Sequence, residues 1–127
     1  MNTKYLMISS SIFMALLGLF TSFLPAEILN AVGLTSTILP TLLLQITGAL
    51  YLGFALMNWM AKTLLIGGIY SRPVCIGNFL HFTIAALALI KVAMNHPSLN
   101  YVLIATIIYS LFAILFGVVL FTSPKKM

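Results

Sequence analysis

The chain has 127 residues, of which 62% are hydrophobic and only 6% are charged, and its mean hydropathy is +1.19. Soluble domains carry about 25% charged residues, because a surface in contact with water must be covered by polar side chains. One acidic and six basic residues cannot cover such a surface. The composition therefore excludes a water-soluble domain and predicts a protein whose outer surface faces lipid.

The formal net charge of +5 does not indicate a nucleic-acid-binding protein. Binding to phosphates requires basic side chains that are clustered in a patch or a stripe. The basic residues are instead scattered along the chain, at Lys4, Lys62, Arg72, Lys91, Lys125 and Lys126.

The single cysteine, Cys75, rules out an internal disulfide and a CxxC redox pair, and we interpret it as a small apolar residue near a helix end.

Four apolar runs, separated by turn signals, predict four transmembrane helices. Each run is close to the roughly 20 residues that cross a hydrocarbon core of about 30 Å. Helices are favoured over strands because every backbone polar group in lipid must be hydrogen-bonded within its own segment. We predict an all-α integral membrane four-helix bundle, up-down-up-down, which forms a single domain over residues 1–127. The predicted spans are residues 5–24, 39–61, 74–94 and 101–122.

The first run is interpreted as a retained helix and not as a cleaved signal peptide. Lys4 precedes it, as in a signal peptide, but the apolar stretch is longer than usual and no small-x-small cleavage pattern follows. After this run, Pro25 and Glu27 suit a helix start, where a proline costs no hydrogen bond and a carboxylate is favoured. We predict a short helix in the outer membrane interface. A proton-coupling role for Glu27 is disfavoured, because it lies past the end of the span.

The basic residues also predict the orientation of the chain. With the N-terminus inside, five of them fall on the cytoplasmic side, and only Lys91, near the outer end of the third span, falls on the other side. The Lys91 side chain can extend toward the interface. From the general form of the protein we expect a bacterial inner membrane, with both termini cytoplasmic.

Small residues recur along each span at intervals of three or four positions, which is typical of helices that pack closely in membranes. The small residues are Ser11, Ala15, Gly18 and Ser22 in span one, Gly48 and Ala55 in span two, Gly77, Ala85 and Ala88 in span three, and Thr106, Ser110, Ala113 and Gly117 in span four.

Gln45, in the outer half of span two, is interpreted as a further interhelical hydrogen-bonding residue.

The candidate site is a polar pocket at the cytoplasmic end of spans two and three, formed by Asn58, Arg72, Asn78 and His81. Asn78 and His81 are three residues apart and so share a helix face. As a binding site, the pocket would hold a polar or anionic head group, with charge from Arg72, hydrogen bonds from the two asparagines and a proton on His81. As a structural feature, Asn58, Asn78 and His81 would bond one another, each bond being worth about 0.6–2 kcal/mol. Both interpretations stay open, and the structural one is favoured.

Other chemistry has little support in the sequence. His81 and His96 are expected on opposite sides of the membrane, and there is no second thiol and no pair of carboxylates, so no metal site is predicted. Gly67 and Gly68 are too few for a phosphate-binding loop and are interpreted as a turn. Trp59 and Tyr70 are interpreted as interfacial aromatic residues.

The segment from Gly48 to Trp59, together with Arg72-Pro73-Val74 and Asn78, resembles the small four-helix membrane proteins of the DoxX-like group. The resemblance covers most of the chain in length, number of spans and loop pattern. It implies a four-helix fold, and some members of the group are linked to quinone-coupled sulfur oxidation or to membrane redox complexes. No catalytic residue can be carried over, because no catalytic motif is matched.

Two classes of function remain. The first is a non-catalytic subunit, assembly factor or lipid-associated module of the inner membrane, without a cofactor of its own. The second is a quinone- or lipid-binding component of a membrane redox system that uses the Asn58, Arg72, Asn78 and His81 pocket. We favour the first, because the side chains of this chain could not catalyse a reaction without a cofactor or another protein. The expected partners are the lipid bilayer and either another membrane protein or further copies of the chain, and not nucleic acid.

Overall fold

The computed structural model describes residues 3–64 and 71–122, and within these ranges the chain is helical without strands. The predicted all-α fold class is thereby confirmed. A short 3₁₀ turn, Ala61–Thr63, follows the third helix. The helices are α1 (Thr3–Phe23), α2 (Pro25–Ala31), α3 (Ile38–Met60), α4 (Arg72–Asn95) and α5 (Asn100–Phe121).

Four of the described helices, α1, α3, α4 and α5, are long and apolar enough to cross a membrane. Their ends differ from those of the predicted spans by two residues at most. Prolines set several of these ends, since a proline disfavours the helical conformation of the residue before it and is tolerated in a first helical turn. Pro25 follows the end of α1, and Pro40 and Pro73 lie in the first turns of α3 and α4. The chain is therefore an integral membrane protein.

The short helix predicted after the first span is present as α2. Glu27 is exposed in its first turn. At its other end Gly33 has a φ of +82°, the left-handed conformation that glycine adopts without strain. The Gly33 N–H donates to the Asn30 carbonyl (3.1 Å) and the Leu34 N–H donates to the Leu29 carbonyl (2.8 Å). This pair of bonds is a Schellman motif, which satisfies carbonyl groups that the end of a helix leaves unpaired.

The chain divides into two helical units, one formed by Lys4–Lys62 and the other by the residues from Thr63 through α5. The first unit contains α1, α2 and α3. Its two long helices are antiparallel, because Ser10 near the start of α1 bonds Asn58 near the end of α3, whereas Thr21 near the end of α1 lies against Gly48, earlier in α3. The interpretation of residues 1–127 as one domain stays a prediction.

Small residues of α1 lie directly against α3. A Cβ atom placed on Gly18 would come within 2.7 Å of Leu52 Cγ. A Cβ atom on Gly48 would meet Thr21 and Ser22, including the Ser22 backbone nitrogen at 2.8 Å. Neither position accepts a larger residue without a shift of its neighbours. The predicted close approach at Gly18, Ser22 and Gly48 is therefore confirmed.

Polar side chains add to this contact. The buried Ser11 hydroxyl on α1 donates a 2.6 Å hydrogen bond to the Ala55 carbonyl on α3. Thr21 is also buried, and its hydroxyl donates to the Leu17 carbonyl of its own helix at 2.7 Å. In lipid such bonds are needed because no water is present to satisfy the hydroxyl groups.

In the second unit, α4 and α5 pack through aromatic rings. The fully buried Phe82 ring of α4 is stacked with Phe112 (centroids 4.9 Å apart) and with Phe116 (5.7 Å) of α5. The Sγ atom of Cys75, also fully buried, lies 3.8 Å from the Phe116 carbonyl oxygen. The interpretation of Cys75 as a small apolar residue near a helix end is confirmed, since it lies in the first turn of α4. The most buried residues are Cys75, Asn78, Phe82 and Ala86 on α4 and Tyr109, Phe112, Phe116 and Val119 on α5.

The small-residue stripe predicted for span three is not its most buried line. Ala88 is exposed, and Gly77 and Ala85 are only half-buried. The physical reason is that α5 presents large rings, which fit against the line of α4 that carries Phe82 instead of requiring close backbone approach. Small size does matter at Gly117 on α5, where an added Cβ would lie 3.1 Å from the Phe79 ring.

Candidate functional site

Asn58 lies near the C-terminal end of α3 and is fully buried. Its side-chain nitrogen donates a 3.0 Å hydrogen bond to the hydroxyl oxygen of Ser10 on α1. The Ser10 hydroxyl in turn donates to the Met7 carbonyl at 3.1 Å. The Asn58 amide thus belongs to a buried chain of hydrogen bonds that joins α1 to α3.

Asn78 is fully buried in the first half of α4. Its side-chain nitrogen donates a 2.8 Å hydrogen bond to the Val74 carbonyl, four residues earlier in the same helix. Bonding of a side chain to a carbonyl of the preceding turn is a local way to satisfy a polar group inside a helix. Asn78 therefore has a structural partner within α4.

His81 lies one turn beyond Asn78 and is half-buried. Its ring centroid is 5.0 Å from that of Phe82, in an edge-to-face arrangement, and 5.8 Å from that of Tyr109 on α5. The imidazole is therefore placed among aromatic rings at the α4–α5 contact. Since three residues correspond to about 300° of helix rotation, Asn78 and His81 share a face of α4, as predicted.

Arg72 is the first residue of α4 and is exposed. It precedes His81 by nine residues, which corresponds to about 13 Å along the helix axis and to a rotation of about 180°. Arg72 and His81 are therefore on opposite faces of α4. The described helix brings Asn78 and His81 together but not Arg72, and the convergence of Asn58 with these residues stays a prediction.

The C-terminal end of α3 carries features of a membrane interface. The Lys62 ammonium lies 3.9 Å from the centroid of the Trp59 ring, a cation–π contact. Lys4, near the start of α1, is at the same end of the first unit, because Asn58 near the end of α3 bonds Ser10 near the start of α1. Aromatic and basic residues at one end of a helix pair are typical of the boundary between lipid and water.

Lys91 is exposed and lies four residues before the end of α4. Its distance from Arg72 along the helix is about 28 Å, close to the thickness of the hydrocarbon core. This placement fits a side chain that reaches the interface opposite to Arg72. The remaining features discussed from the sequence, at Gly67, Gly68, Tyr70, Lys125 and Lys126, lie outside the described residues.

Sequence reasoning missed two features of the site. Ser10, the partner of Asn58, stands next to the predicted small-residue position Ser11, so its polarity on that side of α1 was a usable signal. The aromatic contact around Phe82 also had a signal, because Tyr109, Phe112 and Phe116 are spaced by three and four residues along α5. Among the described residues, no group of three His, Cys, Asp or Glu side chains could hold a metal ion.

The fold and the site define a four-span integral membrane protein whose buried polar side chains bond mainly to neighbouring helices and to their own backbone. In comparison with known proteins, no family model matches the chain, and neither a curated protein nor a solved structure matches it significantly. The resemblance to the DoxX-like group therefore stays a prediction that rests on the Gly48 to Trp59 segment and the residues around Arg72 and Asn78.

Proposed function

We propose that this chain is a non-catalytic component of a membrane assembly, namely a subunit, an assembly factor or a lipid-associated module of a bacterial inner membrane. The observation that supports the proposal most directly is the bond from Asn58 to Ser10. A fully buried side chain of the candidate pocket is used to join two helices, which is the role expected of packing residues.

Other polar side chains of the spans are used in the same way. The Ser11 hydroxyl bonds the Ala55 carbonyl across α1 and α3, and the Asn78 amide bonds the Val74 carbonyl within α4. Both of these bonds are made to carbonyl groups of the protein backbone, which is the use expected of packing residues. The function therefore lies in the surface that the helices present to lipid and to partners.

The orientation is part of the proposal. Lys4 and Lys62 are at one end of the first unit, and the positive-inside rule assigns this end to the cytoplasm. Arg72 is the first residue of α4, and Lys91 near the far end of α4 is then the single basic residue that the rule assigns to the outer side. In this orientation α2, with Leu29 buried and Glu27 exposed, lies in the outer interface.

A second candidate function is a quinone- or lipid-binding component of a membrane redox system, which is also the activity suggested by some members of the DoxX-like group. The placement of His81 favours it: an imidazole beside Phe82 and Tyr109, on the same face as Asn78, offers a proton carrier next to aromatic surfaces. Arg72 weakens it, because this cation lies on the opposite face of α4. We therefore rank this function second.

Substitution at Asn78 and His81 distinguishes the two functions. We would purify Asn78→Leu and His81→Ala in native-lipid nanodiscs and measure thermal stability together with the small molecules that co-purify. Asn95→Leu and His96→Ala are matched controls, because the same residue types are exposed there at the other end of α4. The proposal predicts a lower Tm for the first pair and an unchanged small-molecule profile. Loss of one stoichiometric compound with an unchanged Tm would contradict it.

A further inference from the structure

Two lysines lie at one end of the first helical unit, where α1 begins and α3 ends; we call this the basic end. The Ser11 hydroxyl on α1 bonds the Ala55 carbonyl on α3, so these two positions mark the contact line of the two helices. Lys4 precedes Ser11 by seven residues, and Lys62 follows Ala55 by seven residues. Seven residues are about two helical turns, and the short 3₁₀ turn before Lys62 changes this by only a fraction of a turn. Both lysines therefore continue the same contact line, at about the same level.

No acidic side chain of this protein can balance the two ammonium groups. Glu27 is the only acidic residue in the sequence. It lies in α2, beyond the far end of α1, and the 21 residues of α1 correspond to about 31 Å. Charges are screened over about 8 Å at physiological ionic strength, so Glu27 does not act at the basic end. Because the rest of the sequence has no carboxylate side chain, this holds whatever lies beside the first unit. The anionic group that balances the lysines therefore comes from the surroundings.

Trp59 places this positive charge at the level of lipid head groups. The Lys62 ammonium lies 3.9 Å from the centroid of the Trp59 ring, so the cation and the indole are at the same level. Tryptophan is enriched where hydrocarbon meets the head groups, because its ring is apolar and its N–H is polar. The axes of packed helices are about 8–10 Å apart, so two flexible lysine side chains at one level can reach a single phosphate group. A partner with both a negative charge and acyl chains fits this end better than a soluble anion.

We propose that the basic end holds the phosphate group of an anionic phospholipid between Lys4 and Lys62, with the Trp59 ring against its acyl chains. Basic residues beside a membrane span attract anionic lipids, and salt weakens this attraction. The lipid exchanges with the bulk bilayer, so it is enriched at this position and differs from a stoichiometric ligand that survives extraction. The inference rests on the proposed function and deepens it, since it names the class of lipid that a lipid-associated component recruits.

Quenching of Trp59 fluorescence by brominated lipid tests the proposal, because Trp59 is the single tryptophan of the chain. Bromine atoms on an acyl chain quench only a tryptophan that they contact. We would reconstitute the protein in bilayers of equal parts phosphatidylglycerol and phosphatidylcholine, with bromine first on one lipid and then on the other. Both leaflets have the same composition, so the orientation of the protein does not affect the result. We expect a preference for phosphatidylglycerol of about three-fold or more at low salt, which falls toward one at 1 M salt.

Four variants ask whether the two lysines are responsible. Lys4→Gln and Lys62→Gln are each expected to lower the preference toward one, whereas Lys62→Arg keeps the charge and is expected to retain the preference. Lys91→Gln is the matched control, because it removes one charge near the end of α4 that the positive-inside rule assigns to the other membrane surface. It is expected to leave the preference unchanged.

The comparison is made within each variant. Lys62→Gln also removes the cation–π contact and so changes the intensity of Trp59. Since every variant is measured against itself in the two bilayers, this change cancels. Equal quenching by the two lipids in the unsubstituted protein would overturn the proposal. A preference that is unchanged in both glutamine variants would overturn it as well.

The outcomes also separate this inference from the proposed function. Equal quenching by the two lipids would overturn the lipid preference and leave the proposed function in place, because that function is tested by the small molecules that depend on Asn78 and His81. Loss of a stoichiometric compound in His81→Ala, with the lipid preference intact, would overturn the proposed function and leave the lipid site in place.

Discussion

The side-chain amide of Asn58 on α3 donates a 3.0 Å hydrogen bond to the hydroxyl of Ser10 on α1, inside the first helical unit. Both residues are fully buried, and the Ser10 hydroxyl in turn donates a hydrogen bond to the Met7 carbonyl. Because no water reaches such a site in lipid, removal of either partner leaves the other without its bond.

A double-mutant cycle measures this relationship. We expect Asn58→Leu to lower the free energy of unfolding in mixed micelles by about 0.6–2 kcal/mol. Combined with Ser10→Ala, the two substitutions should show a coupling energy of about 0.5 kcal/mol or more, because they remove the same bond. Asn95→Leu, at an exposed position, serves as the control and should have little effect. Fully additive losses at Asn58 and Ser10 would contradict the contact.

The glycines of α3 are predicted to respond differently to the same change. Gly48→Ala should lower the free energy of unfolding by about 1–3 kcal/mol, because the new methyl group collides with Thr21 and with the Ser22 backbone. Gly53→Ala should be neutral or stabilising by about 0.5–1 kcal/mol in the detergent-solubilised monomer, since alanine is the better helix former and open space surrounds it. Chemical denaturation of both variants checks the difference, and equal losses would contradict the α1–α3 contact.

The end of α2 gives a local prediction. Gly33→Ala places a side chain in the left-handed conformation, at a cost of about 1–2 kcal/mol. The Schellman bonds should weaken, so the amide hydrogen of Leu34 should exchange faster with solvent. Hydrogen exchange followed by NMR or mass spectrometry measures this rate. Unchanged protection of Leu34 would show that the helix end does not depend on this glycine.

The aromatic contact of the second unit is tested at Phe82. Phe82→Ala should destabilise the protein by less than the roughly 3–5 kcal/mol typical of soluble cores, because the hydrophobic driving force is weak in lipid. It should still destabilise more than Phe20→Ala, since Phe82 is fully buried whereas Phe20 is 53% exposed. Thermal unfolding of the two variants gives the comparison. A larger loss at Phe20 would contradict the packing of α4 on α5.

The proposed orientation predicts the accessibility of single cysteines. In a Cys75→Ala background, which removes the single native cysteine, a membrane-impermeant maleimide should label Lys91→Cys in intact cells, because this position is assigned to the outer side. Lys62→Cys should react only after the membrane is permeabilised, since basic residues are retained in the cytoplasm. The reverse labelling pattern would invert the orientation.

The helices were predictable because their signal is local. A span needs about 20 apolar residues whatever its neighbours are, and prolines such as Pro25 and Pro73 mark its ends. The contact of α1 with α3 was also predictable, because small size at Gly18 and Gly48 has one main use in lipid, the close approach of backbones.

Partner choice was less predictable because it depends on which faces of distant segments meet. The sequence suggested bonds of Asn58 to residues of the next span, which stay a prediction, but it did not indicate the bond to Ser10, 48 positions earlier. On α4, the small residues Gly77, Ala85 and Ala88 did not indicate the line that meets α5, since the rings of α5 require room for Phe82 and not close backbone approach. Residue size alone does not indicate which of these two packing modes a helix uses.

The central claim is that the buried polar side chains hold helices together and that the protein acts through partners. Native mass spectrometry of the protein, extracted gently from its own membrane, tests this most directly. We predict a protein complex, with a second copy or with another membrane protein, and no stoichiometric small ligand. A stoichiometric lipid or quinone that is lost in His81→Ala would contradict the claim and establish the pocket as the working site.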